Sequence, residues 1–270
     1  MNMDYKIENI NCFVLAETLD CGQAFRWREL ENGLWYGIAH GKELTLGIKD
    51  GTLTLYNSTQ EDYESVWKHY FDLDRDYTKI EELMKNDSML DKMSTLCSGV
   101  RVLNQEPWET LCSFIISQNN NIKRIKGIIE RLCETYGEKL EGGYSFPSAE
   151  TVARLEIEDL APLRSGFRAK YILDAARKVA SGEINFDSIK KMDIDSGRKE
   201  LMKIYGVGEK VADCVLLFGL GFPDAFPKDV WIKRAMPMLF PEGLPKECDG
   251  VSGIIQQYIF SYARKTKLDI

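Results

Sequence analysis

Short runs rich in aromatic and β-branched residues crowd the first 57 positions: CFVLAET (12–18), AFRWREL (24–30), GLWYGIAH (33–40), ELTLGI (43–48) and TLTLYN (52–57). Gly, Asn and Asp punctuate them at 21–22, 32–33, 41 and 50–51. Such runs predict β-strands, and breaks this short predict hairpins in an antiparallel sheet. From Gln60 the texture changes. Segments 61–70, 77–96, 107–117, 122–136, 149–160, 168–180, 197–205, 210–220, 230–239 and 250–265 carry apolar residues at helical spacing, separated by polar breaks. There is no low-complexity linker and no repeat of fixed period. The pattern predicts an α+β chain: an N-terminal antiparallel β-sheet with flanking helices over residues 1–100, then a mostly α-helical domain over 101–270.

Composition narrows the function. Of 270 residues, 44% are hydrophobic and 29% charged, which is globular rather than disordered and long enough to bury a sizeable core. No run approaches the length of a membrane span, and MNMDYKIENINCF lacks the apolar stretch of a signal peptide. The seven cysteines (12, 21, 97, 112, 133, 214 and 248) are odd in number and widely spaced, without a CxxC. That argues against a disulfide framework, a zinc site and a four-cysteine cluster. Two histidines, His40 and His69, leave little for a His-ligated metal or a Ser–His–Asp triad. An enzyme here works with carboxylates, lysine, tyrosine or cysteine.

The formal charge of -7 counts at first against a nucleic-acid partner. The charge is uneven, however. Residues 1–100 hold 10 Lys and Arg against 18 Asp and Glu, a net of -8, while residues 101–270 hold 25 against 24, a net of +1. The second region is free to present a basic face.

The chemistry concentrates in LMKIYGVGEKVADCVLLFGLGFPDAFPKDVWIKRAM (201–236). A helix ending at Tyr205, a turn at Gly206-Val207-Gly208 and a second helix from about Glu209 make a helix-hairpin-helix pattern. Such a hairpin offers helix-terminal amides to a phosphate and grips DNA backbone without reading sequence. A plain αα-hairpin with a glycine cap has the same signature. Lys210 falls in the first turn of the second helix, where the positive end of the helix dipole disfavours an ammonium and favours a nucleophilic amine. Cys214, four residues on, shares its face. Asp229 precedes the next helix as an N-cap, a position that holds a carboxylate rigid and ionised beside developing positive charge. Read singly, these three are equally a surface lysine, a core cysteine and an ordinary cap.

Six segments in order resemble the 8-oxoguanine DNA glycosylase/AP lyase family of the helix-hairpin-helix superfamily: CGQAFRW (21–27), YFDLD (70–74), GVRVLNQEPWETLCSFIISQNNNIKRI (99–125), GFRAKYI (166–172), GVGEKVADC (206–214) and IIQQYIFSYAR (254–264). The resemblance implies that Lys210 attacks the sugar of the damaged nucleotide, expels the base and leaves a Schiff base whose β-elimination nicks the strand. It implies that Asp229 supports the cationic sugar and shuttles protons, and the lysine nucleophile it implies calls for no metal and no organic cofactor. Cys214 and Phe260 then sandwich the flipped base, Gln256 reads its Watson–Crick edge, and the Gly22 carbonyl accepts the N7 hydrogen that only the oxidised guanine carries. Asn119, Arg124 and Arg168 contact the orphaned cytosine, Phe167 wedges into the duplex, and the Gly206 and Gly208 backbone holds phosphate. Phe167 stands where the family usually has tyrosine, and Trp231 where eukaryotic relatives have a phosphate-contacting histidine.

The resemblance thus predicts a monomeric enzyme acting on double-stranded DNA containing 8-oxoguanine, with no membrane association. Its place would be cytoplasmic or nucleoid-associated in a bacterium and nuclear in a eukaryote. The competing readings are a helix-hairpin-helix glycosylase for another damaged purine and a non-catalytic DNA-binding protein.

Overall fold

The computed structural model describes residues 4–266. Five strands, β1 (Tyr5–Ile7), β2 (Trp27–Glu29), β3 (Trp35–Ala39), β4 (Lys42–Lys49) and β5 (Thr52–Tyr56), form one antiparallel sheet in the order β1-β5-β4-β3-β2. Period-2 alternation sets its faces. Leu44, Leu46, Leu53 and Leu55 are buried, and Leu46 sits opposite both Trp35 and Leu55. A one-residue slip would turn this whole set to solvent. Asp50-Gly51, both at positive φ (51° and 73°), closes the β4–β5 hairpin with the twist that a two-residue turn requires.

The sheet differs from expectation in two places. The 12–18 run is not a strand; within it begins the helix α1 (Leu15–Leu19). Leu15 and Leu19 lie one helical turn apart and enter the sheet core together with Phe13. The Thr18 hydroxyl and the Val14 amide both donate to the Gly99 carbonyl (3.1 and 2.9 Å), so contacts distant in sequence fix this segment. The strand at the opposite edge comes instead from Tyr5–Ile7, paired with β5.

Residues 60–70 form one helical stretch, α2 (Gln60–Asp62) passing through a π-helical turn (Tyr63–Trp67) into α3 (Lys68–Tyr70). The predicted 77–96 helix is split into α4 (Tyr77–Met84) and α5 (Ser88–Leu96). Asp87 restarts the chain by accepting from the Met89 and Leu90 amides at 2.8 and 3.0 Å. Next come α6 (Pro107–Ser117), α7 (Ile122–Tyr136) and α8 (Ala149–Ala153). The α8 helix stops well short of the expected 160, because the Asp159 carboxylate takes the Glu156 amide (2.8 Å) and turns the chain locally. The remainder is α9 (Arg168–Ala180), α10 (Phe186–Ile189), α11 (Ile194–Leu201), α12 (Glu209–Leu220), α13 (Val230–Leu239) and α14 (Ser252–Thr266).

Two apolar cores result. One lies under the sheet and holds Trp27, Trp67, Tyr70 and Phe71. The other is helical and centres on α6 and α12, where Phe114 stacks on Phe218 with ring centroids 5.4 Å apart. It also takes in Tyr77, Ile80, Leu90 and Met93 of α4 and α5. The sheet meets α6 through the Arg26–Glu109 ion pair (3.4 Å).

Candidate active site and DNA-facing surface

The hairpin turn begins earlier than the sequence suggests. The α11 helix ends at Leu201, not Tyr205, and Met202–Gly208 follow as tight turns. Successive three-residue bonds (Lys203 N to Glu200 O, Ile204 N to Leu201 O, Val207 N to Ile204 O) wind the chain, and the Tyr205 amide donates to the Asp174 carboxylate at 2.7 Å. Gly206 has φ +82°, and a Cβ there would meet the Tyr171 ring at 2.4 Å, so conformation and space both demand glycine. Val207 is buried in the helical core. Gly208 caps α12 without a side-chain hydrogen bond, and a Cβ there would meet nothing within 4 Å. The first amides of α12 are therefore open to an anion. The Arg198–Asp213 pair (2.7 Å) clamps α11 against α12.

Lys210 projects from the first turn of α12 toward the end of α6. Its Nζ sits 4.6 Å from the centroid of Phe114 and 3.4 Å from Ser117 Oγ. Sequence reasoning missed both partners; their spacing of three on α6 marks a shared face, but nothing in it points to Lys210. Cys214 is buried below Lys210, and burial pushes its thiol up to about 11 against the pull of the Lys210 charge and hydrogen bond. It is a neutral thiol. Asp229 caps α13, its Oδ1 accepting from the Ile232 amide at 2.8 Å. Burial raises its carboxyl above the ordinary value, opposed by the Ile232 amide and the Lys210 charge. The capping geometry is as expected, but the direction is opposite to that of a carboxylate held firmly ionised, because the site is drier than a surface cap.

Gln256 is buried on α14, with Nε2 donating to the Pro227 carbonyl (3.1 Å) two residues before Asp229. Phe260 lies one turn further on, half-buried. A Cβ on Gly22 (φ +88°) would lie 3.9 Å from its ring, so the Gly22 loop and the Phe260 ring adjoin. The loop is held by Gln23, also missed as a functional residue. Its Nε2 donates to the Thr18 and Arg101 carbonyls (2.9 and 2.7 Å), its Oε1 accepts from the Leu103 amide (2.9 Å), and its own carbonyl accepts from Gln105 (2.7 Å).

The other candidates gather on an adjoining face. Asn119 (φ +48°), Arg124 and Phe167 are exposed. Arg168 is not; it is 2% exposed and acts as a brace. It donates to the Gln118, Asn119 and Ser165 carbonyls, with its guanidinium 4.4 Å from the Phe167 ring. Four of its five N–H groups are engaged this way, so in this structure it shapes the Asn119 loop rather than presenting a free fork. Asn121 caps α7 through the Arg124 amide, and Arg124 reaches the Arg164 carbonyl (3.4 Å). Trp231 is exposed in the first turn of α13. Among the described residues no group of three His, Cys, Asp or Glu side chains gathers to hold a metal, and no helix is long and apolar enough to cross a membrane.

A lysine fixed behind a glycine-turned hairpin, with a capping aspartate at the start of the next helix, defines the class of helix-hairpin-helix base-excision proteins. Residues 6–111 match the family described as 8-oxoguanine DNA glycosylase, N-terminal domain, and residues 112–246 match the HhH-GPD superfamily of base excision DNA repair proteins. The chain belongs to this family. It is similar to MBOgg1, solved in complex with a low-affinity DNA ligand (41% identity, TM-score 0.93, covering 98% of this chain and 96% of that one). It is also similar to the 8-oxoguanine glycosylase/lyase of Clostridium acetobutylicum, solved with double-stranded DNA containing cytosine opposite 8-oxoguanine (36%, TM-score 0.91, 99% and 100%). The N-glycosylase/DNA lyase of Saccharomyces cerevisiae is 32% identical over 82% of this chain, and the match spans 66% of the yeast protein's own length.

Proposed function

We propose that this protein excises 8-oxoguanine opposite cytosine in duplex DNA and then nicks the strand at the resulting site. The observation that carries this reading is the seating of Lys210: Nζ above Phe114, beside Ser117 Oγ, with its charge acting on both Cys214 and Asp229. The amine attacks C1′ of the flipped nucleotide, the C1′–N9 bond breaks, and the base departs with the electron pair and a proton. Loss of the amine proton and opening of the C1′–O4′ bond give an imine. The imine acidifies C2′, whose proton is removed as the 3′ phosphate leaves. Asp229, held by its cap bond, stabilises the cationic sugar and relays protons. Cys214 and Phe260 stack on the base, Gln256 reads its Watson–Crick edge, and the Gly22 carbonyl takes the N7 hydrogen. Asn119 and Arg124 face the opposite strand. The enzyme acts as a monomer wherever the chromosome lies.

Borohydride reduces the imine and leaves protein joined to DNA. A duplex with 8-oxoguanine opposite cytosine should yield this adduct, and Lys210→Gln should abolish it while lowering excision by more than about a thousandfold. Active protein that forms no adduct would refute the lyase chemistry.

A further inference from the structure

The Gln256 amide is tied on both sides. Its Nε2 donates to the Pro227 carbonyl at 3.1 Å, and its Oε1 accepts from Gln257 Nε2 at 2.6 Å. Gln257 Oε1 in turn faces the Cys21 thiol at 3.9 Å, and Cys21 adjoins Gly22. Both glutamines are buried. An amide is nearly symmetric in shape, so its neighbours decide which end carries oxygen. Here one end of the chain cannot be reversed, because a backbone carbonyl only accepts. Pro227 therefore takes the Gln256 NH2, Gln256 Oε1 faces Gln257, and Gln257 must present its own NH2. Its oxygen then lies 3.9 Å from the Cys21 sulfur, whose single hydrogen is shared with the nearer Thr18 carbonyl at 3.3 Å. Turning either amide over would bring like groups face to face in a buried site.

We propose that Gln257 is a positioning residue that, together with the Pro227 carbonyl, holds the Gln256 amide in the orientation that reads a guanine-type rather than an adenine-type edge. This rests on Gln256 as the edge reader. The base meets the second N–H of Nε2 and the second lone pair of Oε1. 8-Oxoguanine offers an acceptor at O6 and a donor at N1; 8-oxoadenine offers a donor at N6 and an acceptor at N1. Both carry an N7 hydrogen, so the Gly22 carbonyl cannot separate them. Discrimination between the two falls on which way the Gln256 amide points.

The test is single-turnover excision of 8-oxoguanine and of 8-oxoadenine opposite cytosine, with nicking of a preformed abasic site measured for every variant. Gln257→Met keeps the side-chain length and removes the donor; Gln257→Glu turns an acceptor toward Gln256 Oε1. The preference for 8-oxoguanine over 8-oxoadenine should fall about fivefold in the first and more than about tenfold in the second. The ratio of 8-oxoguanine excision to abasic nicking should fall in step. An unchanged preference overturns the proposal, whether the rates hold or excision and nicking decline together. Gln256→Ala separates the two ideas. If it destroys the preference while the Gln257 variants keep it, edge reading stands and the role of Gln257 fails. If it leaves the preference intact, both fail.

Discussion

Gln23 and Phe167 belong to two regions of the molecule whose surroundings differ in kind. Gln23 lies in the seam between sheet and helices, 1% exposed, with both ends of its amide bonded. The Arg26–Glu109 pair also joins the sheet side to α6, and Gln257 reaches the neighbouring Cys21. Phe167 is 48% exposed, on a face where Asn119 and Arg124 also meet solvent. The seam borders the proposed base pocket, and the open face borders the proposed opposite strand. Groups that must tell one purine from another by a single hydrogen are fixed before anything binds, so little ordering entropy is lost on recognition. Groups that meet a duplex of any sequence stay free to adjust.

The sharpest way to break this contrast is to cut the seam. Gln23→Ala leaves the Arg101 carbonyl and the Leu103 amide without their partner in a buried site, strips one of two donors from the Thr18 carbonyl, and should cost about 2–4 kcal/mol of stability, read by denaturant unfolding. A loss under about 0.5 kcal/mol would show the seam to be no more constrained than the open face.

The Arg26–Glu109 pair gives the seam a pH signature. Burial pushes the Glu109 carboxyl up to about 7 from an ordinary 4.5, with Glu106 adding repulsion and Arg26 opposing both. The folded chain thus keeps a proton that the unfolded chain releases between about pH 4.5 and 7. Stability is full below that window, declines as pH rises through it, and levels off above. Thermal melts from pH 5 to 8 should show a loss on the order of 1–3 kcal/mol, and Glu109→Gln should flatten it. A rise in stability over this range would mean that Arg26 dominates.

The smallest expected effect belongs to the open face. Phe167→Ala should leave stability within about 0.5 kcal/mol of the parent. It should weaken lesion-duplex affinity roughly threefold to tenfold, through loss of an apolar wedge. Binding titrations and melts on the same variant check both halves. A large stability loss would place Phe167 with the seam.

Legibility in the sequence follows the same divide. Strands 35–56 were readable because aromatic and β-branched runs and the Asp50-Gly51 turn agree, and the hairpin was readable from its Gly-Val-Gly spacing, in which Gly206 alone is demanded by both conformation and space. The 12–18 run was misread because a short apolar run suits either a strand or a helix, and Gly99, distant in sequence, decides between them. The three-residue strand Tyr5–Ile7 is too short to carry a pattern. Within the site, Lys210, Cys214 and Asp229 stand at legible positions on helix termini and faces, but their roles come from the six resembling segments rather than from position alone. Phe114, Ser117, Gln23 and Gln257 do not, since their roles exist only through space. The resemblance gives Arg168 as a contact to the orphaned cytosine, and its burial, which the sequence does not show, follows from three carbonyls that the fold brings to it.

The cysteines carry a consequence of their own. Burial raises all seven thiols above the ordinary value, Cys21, Cys214 and Cys248 to about 11 and Cys133 to about 12. The oxidants that damage guanine also attack sulfur, and they attack the thiolate rather than the thiol. By keeping its sulfurs protonated and mostly out of solvent, the fold withholds the reactive form from peroxide. The proposed stacking sulfur of Cys214 is among those held protonated and out of solvent.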